Sequence, residues 1–259
     1  MKILLLSFLF LLLLVPQQLF AQEKNEIFIT IFDEGEKIIF DGKWSFYSEW
    51  KRSSLNSFGG DQIKLRTAHQ GNFVYVMLDV LLDRTIDEYS DKAIICFDTD
   101  NNKSVISDGN DYCFVAELGN ENGLILRGSD ASGKNYFEEI SHVSGFIGIG
   151  NSSDKNDKYL KTPHSSYEFR IPTDLIGRSS VYGYYVGVYD ASLNKTYHWP
   201  EVITDKNVEQ IPSPSKWGSM ISPDKSLPEF QWPLLILLPI LTMVILVTRV
   251  RLNAGLINH

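Results

Sequence analysis

Hard oxygen donors are concentrated in one stretch of the chain, between residues 98 and 111. Five side chains supply them: Asp98, Asp100, Asn102, Asp108 and Asp111. Calcium takes six to eight oxygens from carboxylates, amides and backbone carbonyls, and a loop with closely spaced donors can provide them. We therefore predict a structural calcium site formed by these five residues. The alternative is a solvated turn in which the Asp and Asn side chains accept hydrogen bonds from the backbone.

The two cysteines of the chain, Cys96 and Cys113, flank this acidic stretch. Both fall on short β-rich runs that can pair as a hairpin, so their side chains can meet across it. An exported protein experiences oxidising conditions, and two cysteines allow a single bridge. We predict a Cys96–Cys113 disulfide at the base of the acidic loop. The alternative is a pair of buried thiols that pack as small apolar side chains.

Asn-X-Ser/Thr triplets mark three further modification candidates, at Asn102, Asn151 and Asn194. Such triplets are acceptors for N-glycosylation on surface loops of exported proteins. A glycan on Asn102 would conflict with the same residue acting as a calcium ligand.

Aromatic side chains are the candidates for sugar recognition, because a pyranose ring presents a C–H face that packs on an indole or phenol ring. We select Trp50 and Trp199 as predicted ligand-binding residues. The alternative is that both tryptophans fill the core or plug an edge of the fold.

Catalytic motifs are absent from the sequence. It contains no GxSxG, no HExxH and no Gly-rich phosphate loop, and its five histidines show no ligand spacing. We therefore predict a protein that is not an enzyme.

Short β-rich runs must position these residues, since no amphipathic helical pattern in the middle of the chain exceeds two turns. About a dozen such runs are separated by Gly, Asn, Asp and Ser. Residues 73–80 alternate clearly, with Val74, Val76, Leu78 and Val80 on one face. We predict an all-β fold, an antiparallel β-sandwich over residues 22–205, followed by a closing loop and stalk over residues 206–229.

Hydrophobic segments lie at both ends of the chain. Residues 1–21 have the pattern of a secretory signal peptide. Residues 230–248 contain no charge and are long enough to cross a bilayer as one transmembrane helix. Arg249 and Arg251 follow, which predicts a short cytoplasmic tail over residues 249–259 and an extracellular N-terminal domain. We expect a single-pass protein of the cell membrane.

The charge of the intervening region excludes some partners. Residues 22–229 hold 21 Lys and Arg against 32 Asp and Glu, a balance of −11. Nucleic acid binding needs clustered positive charge, so we predict no nucleic acid partner.

Five short segments follow one another in a distinctive order: DGKWSFYSEW (41–50), AHQGNFVYVMLDVLLD (68–83), AIICFDTDNN (93–102), GNDYCFVAEL (109–118) and YEFRIPTDLIG (167–177). Their order and spacing resemble the superfamily of family 9 carbohydrate-binding modules and DOMON domains. The resemblance covers residues 36–222 and implies a β-sandwich that binds a sugar through tryptophans and holds structural calcium. Some DOMON-like relatives instead bind haem through Met with His or Lys. The candidate residues for this in the chain are Met77, Met220, His69, His142, His164 and His198.

A second resemblance concerns the C-terminal end. The Pro-Glu-Phe triplet at residues 228–230, followed by an apolar segment and a basic end, is similar to the PEF-type sorting tails of archaeal surface proteins. Such a tail implies that the helix is exchanged for a lipid-type anchor, with the protein still facing outward.

Together these patterns predict a non-catalytic, membrane-tethered carbohydrate-binding-like module at the cell surface, with a glycan or a surface-layer component as its partner. Two alternatives stay open. One is a haem-binding electron-transfer domain, which has less support because no ligand pair has the required spacing. The other is a structural envelope protein without a small ligand.

Overall fold

The computed structural model describes residues 25–32, 37–130, 133, 135–201 and 211–222. The predicted signal peptide, transmembrane helix and cytoplasmic tail lie outside these ranges. Within the described residues, none of the helices is long and apolar enough to span a membrane.

The described part is nearly all β-structure, arranged as two sheets. The strands are β1 (Glu26–Phe28), β2 (Thr30–Ile31), β3 (Ser54–Phe58), β4 (Ile63–Gln70), β5 (Phe73–Val80), β6 (Lys92–Asp98), β7 (Asp111–Glu117), β8 (Leu124–Ser129), β9 (Tyr136–Ile140), β10 (Ile147–Ser152), β11 (Ser165–Pro172), β12 (Val181–Asp190), β13 (Lys195–Trp199) and β14 (Gly218–Ile221). A one-turn helix α1 (Thr173–Ile176) and a short 3-10 helix (Pro214–Lys216) complete the regular elements of this part.

The first sheet has eight strands in the order β1-β14-β12-β6-β7-β8-β9, with β13 also paired to β12. The second sheet has six strands in the order β10-β11-β5-β4-β2, with β3 also paired to β4. Most neighbours are antiparallel, as predicted, but β1 pairs with β14 and β2 with β4 in parallel. The predicted β-sandwich is confirmed in its class and its two-sheet form.

The main core lies between the two sheets and follows the alternation of the strands. Val74, Val76, Leu78 and Val80 of β5 point into it, where they meet inward residues of β6, β7 and β12. On the opposite face of β5, Met77 packs in a separate cluster. Because successive side chains of a strand point to opposite faces, both faces of this sheet are covered by apolar material.

Two segments differ from the sequence-based expectation. Residues 37–40, one of the short β-rich runs from which strands were predicted, have no strand pairing and lead into a series of turns. Part of the predicted closing loop and stalk returns to the fold, where β14 pairs with both β12 and β1. The side chain of Met220 on β14 is fully buried in the main core, which explains why this short strand docks.

Candidate functional site

Residues 37–53, here called the opening segment, cover the outer face of the second sheet. The buried carboxylate of Glu168 on β11 anchors it: one oxygen accepts the Trp50 indole N–H at 2.8 Å, and the other accepts the backbone N–H groups of Asp41 and Gly42 at 3.0 and 2.9 Å. Burial raises the pKa of Glu168 well above its usual value, although these hydrogen bonds oppose the shift. A single side chain of the sheet therefore fixes both ends of this turn.

A second buried side chain, Arg66 on β4, fixes the far end of the opening segment. Its guanidinium donates to the backbone carbonyls of Trp50 and Ser53 at 2.9 and 3.3 Å. It also donates from Nε to the Tyr159 hydroxyl at 2.8 Å, and its plane lies 5.1 Å from the centre of the Trp44 ring. Arg66 thus joins the opening segment to the β10–β11 loop that carries Tyr159.

An open depression of about 530 Å³ lies where the opening segment meets the β10–β11 loop. We call it the lysine pocket. One wall is formed by residues 44–47, and the other by Lys155, Asn156, Lys158 and Lys161. A salt bridge of 2.9 Å between Lys43 and Asp154 joins the two walls beside it.

The lysine pocket combines an exposed aromatic ring with positive charge. The side chain of Tyr47 is 78% exposed, while the Trp44 ring beneath is buried. The ammonium of Lys158 lies 5.3 Å from the centre of the Trp44 ring. Lys155, Lys158 and Lys161 are exposed, in a region of the chain whose overall balance is −11. The geometry therefore offers a ring face for stacking and three cations for a negatively charged group.

A second depression of about 520 Å³ lies beside the first residues of the opening segment. Its lining includes the carboxylates of Asp41 and Glu121 and the side chains of Ile147 and Ile149. Its charged lining residues are acidic, so it contrasts with the lysine pocket in the ligands that it favours.

The two tryptophans predicted to bind a ligand are both interior residues. Trp50 is fully buried under the opening segment, where its N–H is used by Glu168. Trp199, 6% exposed, packs against Tyr184 in the main core with 5.9 Å between ring centres. Neither ring offers a face to solvent in this structure, so the geometry gives them the packing role that was the alternative. An exposed aromatic ring close to Trp50 in sequence is Tyr47.

The structure contains the predicted disulfide between Cys96 and Cys113, which confirms this prediction. The two cysteines are directly opposed on β6 and β7. Their side chains lie on the outer face of the first sheet, packed with Tyr185 and Trp217. The bridge therefore closes the hairpin at the base of the acidic residues 98–111, here called the acidic loop.

Most side-chain oxygens of the acidic loop already accept hydrogen bonds from the loop itself. Asp98 accepts the backbone N–H groups of Asn102 and Lys103 at 3.2 and 2.9 Å. Asp108 accepts that of Asn110 at 2.8 Å, and Asp111 accepts that of Asp108 at 2.7 Å. These bonds have the pattern of the solvated-turn alternative, and calcium binding by these residues stays a prediction.

Two residues of the acidic loop depart from that pattern. The amide of Asn102 donates to Asp100 and Asp108 at 3.1 and 2.9 Å, so it lies between the two carboxylates. Asp111 is buried, and its Oδ1 has no hydrogen-bond partner. Burial raises the pKa of Asp111 to about 7, with the charge of Asp108 adding to the shift.

The three predicted glycosylation residues lie on exposed parts of the surface. Asn194 occupies the turn between β12 and β13, and Asn151 donates its amide to the Asp41 carbonyl at 3.0 Å. The amide nitrogen of Asn102 is engaged with two carboxylates, as described above. Glycosylation at these positions stays a prediction.

The methionines considered for haem are packing residues in this structure. Met77 is buried beneath the opening segment and Met220 is buried in the main core. Each contributes to an apolar cluster, which is the common role of a strand methionine.

Sequence reasoning missed the lysine pocket. The lysines at 155, 158 and 161 are visible in the sequence, but Asp154 and Asp157 lie among them, so the local pattern is one of mixed charge. Only the fold places that loop against residues 44–47.

Comparison with known proteins yields no match to any family model, and no curated protein matches the chain. Solved structures similar to it include two carbohydrate-binding modules. Both are described as a family 9 carbohydrate-binding module from Caldicellulosiruptor kristjanssonii, one in complex with cellotriose and one in complex with glucose. The first is 15% identical, with a TM-score of 0.48 over 76% of this chain and 93% of that one. The second is also 15% identical, with a TM-score of 0.49 over 76% and 95% of the two chains. Neither likeness identifies a binding residue in this chain.

Proposed function

We propose that this protein is a non-catalytic glycan-binding module of the cell surface, and that it binds acidic saccharides in the lysine pocket. The observation that carries the proposal is the pairing of an exposed tyrosine ring with three lysines around one open depression. A pyranose can stack on the Tyr47 ring, while its carboxylate, sulfate or phosphate group faces Lys155 and Lys158. Export and tethering rest on the sequence patterns of residues 1–21 and 230–248.

Charge gives the pocket its selectivity in this proposal. The surrounding region carries excess negative charge, so an acidic glycan is repelled from most of the surface. At the lysine pocket Asp154 is held in a salt bridge with Lys43, and the Asp157 side chain is buried, which leaves the neighbouring lysines to face solvent. Binding should therefore weaken as salt screens these charges.

Binding of the full chain to matched oligosaccharides tests the proposal. We expect a uronate-containing oligosaccharide to bind, and its neutral counterpart of the same length to bind less tightly. Tyr47→Ala should weaken binding about fivefold, since loss of one stacking contact costs roughly 1 kcal/mol. The double substitution Lys155→Gln and Lys158→Gln should remove the preference for the acidic sugar.

Tyr136→Ala is the matched control, because this tyrosine is 52% exposed on β9 of the other sheet. It should bind as the unaltered chain does. Equal binding to every sugar, or a Tyr47→Ala variant that binds as well as the control, would overturn the proposal. Binding of polyglutamate with the same affinity would point to charge attraction alone.

A further inference from the structure

Three polar side chains from distant parts of the sequence meet in the interior beside the lysine pocket. They are Asp79 on β5, and Asp157 and His164 on the β10–β11 loop. A ring nitrogen of the histidine and one oxygen of each carboxylate all lie within 4.8 Å of one another. None of the three residues is more than 1% exposed. We call this group the buried Asp-His cluster.

One ring nitrogen of the histidine is fixed as a donor by its surroundings. Its Nδ1 lies 2.7 Å from the Thr162 carbonyl oxygen, which can only accept a hydrogen bond, so Nδ1 carries a proton. The other nitrogen, Nε2, lies 2.5 Å from Asp79 Oδ1. Two atoms this close need a positive charge between them, either a proton on Nε2, which makes His164 and Asp79 an ion pair, or a metal ion.

Each of the two carboxylates has one buried oxygen without a hydrogen-bond partner. Asp157 uses Oδ1 to accept the backbone N–H groups of Tyr159 and Leu160 at 2.7 and 2.8 Å. Asp157 Oδ2 and Asp79 Oδ2 are buried without any hydrogen-bond partner. An unpaired carboxylate oxygen in the interior is costly, so these atoms need a positive charge or a proton.

The nearest cationic side chains direct their hydrogen bonds elsewhere. Arg66 donates to Tyr159, Trp50 and Ser53, as described above. Lys161 donates to the backbone carbonyl of Asp157 rather than to its carboxylate. Among the described residues, Asp79 Oδ2 and Asp157 Oδ2 therefore have no directly paired lysine or arginine, while His164 faces the other oxygen of Asp79.

We propose that the buried Asp-His cluster binds one divalent first-row transition metal ion, with His164 Nε2 and the carboxylates of Asp79 and Asp157 as ligands. Metal-binding histidines usually donate their other ring N–H to a carbonyl, as His164 Nδ1 does to Thr162. An imidazole ligand favours zinc and its neighbours over calcium, which takes oxygen ligands. Ligand atoms on a tetrahedral zinc ion lie about 3.3 Å apart, so the Asp79–His164 pair needs to open by only about 1 Å.

The ion would tie the β10–β11 loop to β5. Asp157 and His164 belong to that loop, and the Ser153 N–H already donates to the His164 carbonyl at 2.8 Å across its base. The lysines of the pocket lie on the outer side of the same loop. Metal binding is nevertheless independent of the proposed glycan binding, since the ligand atoms point inward.

Zinc titration of the untagged, chelator-treated full chain tests the inference. We expect one zinc ion per chain by elemental analysis. We also expect the Tm to rise by about 5 °C at a hundredfold excess of zinc over its Kd. Asp157→Asn keeps the Oδ1 acceptor for the loop backbone but weakens metal binding, and we expect its zinc affinity to fall at least tenfold. Asp79→Asn should behave in the same way.

Asp154→Asn is the matched control, because this acid lies on the same loop and pairs with Lys43 at the surface. Its zinc affinity should equal that of the unaltered chain. An unaltered chain whose Tm and zinc content do not respond would overturn the inference, and would mean that a shared proton satisfies the cluster. Zinc binding that survives in both Asp157→Asn and Asp79→Asn would place the ion at another site, which also overturns it.

Discussion

The acidic loop and the buried Asp-His cluster are two groups of carboxylates that differ in how their oxygens are satisfied. In the loop the acids are close in sequence and accept hydrogen bonds from their own backbone. In the cluster, His164 and Asp79 are 85 residues apart, and two carboxylate oxygens have no partner. Local density of acids therefore predicts a turn at least as well as a metal site. Two unpaired buried carboxylate oxygens that lie together with a histidine nitrogen are the stronger indication of a metal site.

The two regions also differ in what holds their geometry. The acidic loop is closed at its base by the Cys96–Cys113 disulfide, a covalent constraint that needs no cation. The buried cluster is assembled only when β5 and the β10–β11 loop pack together. A metal ion at the cluster would therefore stabilise long-range structure, whereas one at the loop would act on a hairpin that is already covalently closed.

The largest expected effect concerns Asp111, the acid that departs from the loop's pattern. Its pKa of about 7 in the folded chain exceeds the ordinary value of 3.8. Between these values the folded state keeps a proton that the unfolded state has lost, so the free energy of unfolding falls as pH rises from about 4 to about 7. A pKa difference of about 3 corresponds to about 4 kcal/mol, and solvent screening of the carboxylate reduces the expected fall to on the order of 3 kcal/mol.

Urea unfolding at several pH values measures this effect in the unaltered chain and in Asp111→Asn. The variant keeps an oxygen for the Asp108 N–H and cannot ionise, so its stability should change much less over the same range. Other buried acids titrate in both proteins, and the difference between the two curves isolates Asp111. Parallel curves would show that burial does not raise the pKa of Asp111.

A smaller effect on the free energy of unfolding distinguishes a buried acid of the loop that accepts backbone hydrogen bonds from an exposed one. Asp98→Ala leaves the backbone N–H groups of Asn102 and Lys103 without their acceptor and should lower the free energy of unfolding by about 2 kcal/mol. Asp100→Ala, at an exposed position, should change it by less than about 0.5 kcal/mol. Denaturant unfolding compares the two. Equal losses would mean that the loop depends on its exposed carboxylates, as a metal site would.

The sequence predicted the sandwich because strand alternation is a local signal. In β5 the valines and the leucine that were expected on one face are the residues that fill the main core. The hairpin with its disulfide was predictable for the same reason, since Cys96 and Cys113 are close in sequence on adjacent runs. β14 was missed because its four residues follow a Pro- and Ser-rich stretch and carry too short a pattern.

The candidate site was less predictable because it depends on which aromatic side chains are buried and which face solvent. Tryptophan type alone could not show that Trp50 lies under the opening segment with its N–H on Glu168. Nor could it show that Tyr47, three residues earlier, is the exposed ring. Likewise Asp79 gave no sign of a partner until folding brought the β10–β11 loop against it. Such contacts are set by tertiary packing rather than by local spacing.

Calcium should produce the smallest change in Tm. Its effect tests directly which of the two regions is the cation site. In the loop an incoming calcium ion must compete with the bonds that Asn102 makes to Asp100 and Asp108. We therefore expect calcium at millimolar concentration to shift the Tm of the chelator-treated chain by less than about 2 °C, below the shift expected for zinc. A calcium shift above about 5 °C that disappears in Asp100→Ala would reverse the comparison. It would make the acidic loop a cation site, as its density of oxygen donors predicts, and show that the Asn102 bonds are a substitute for the ion.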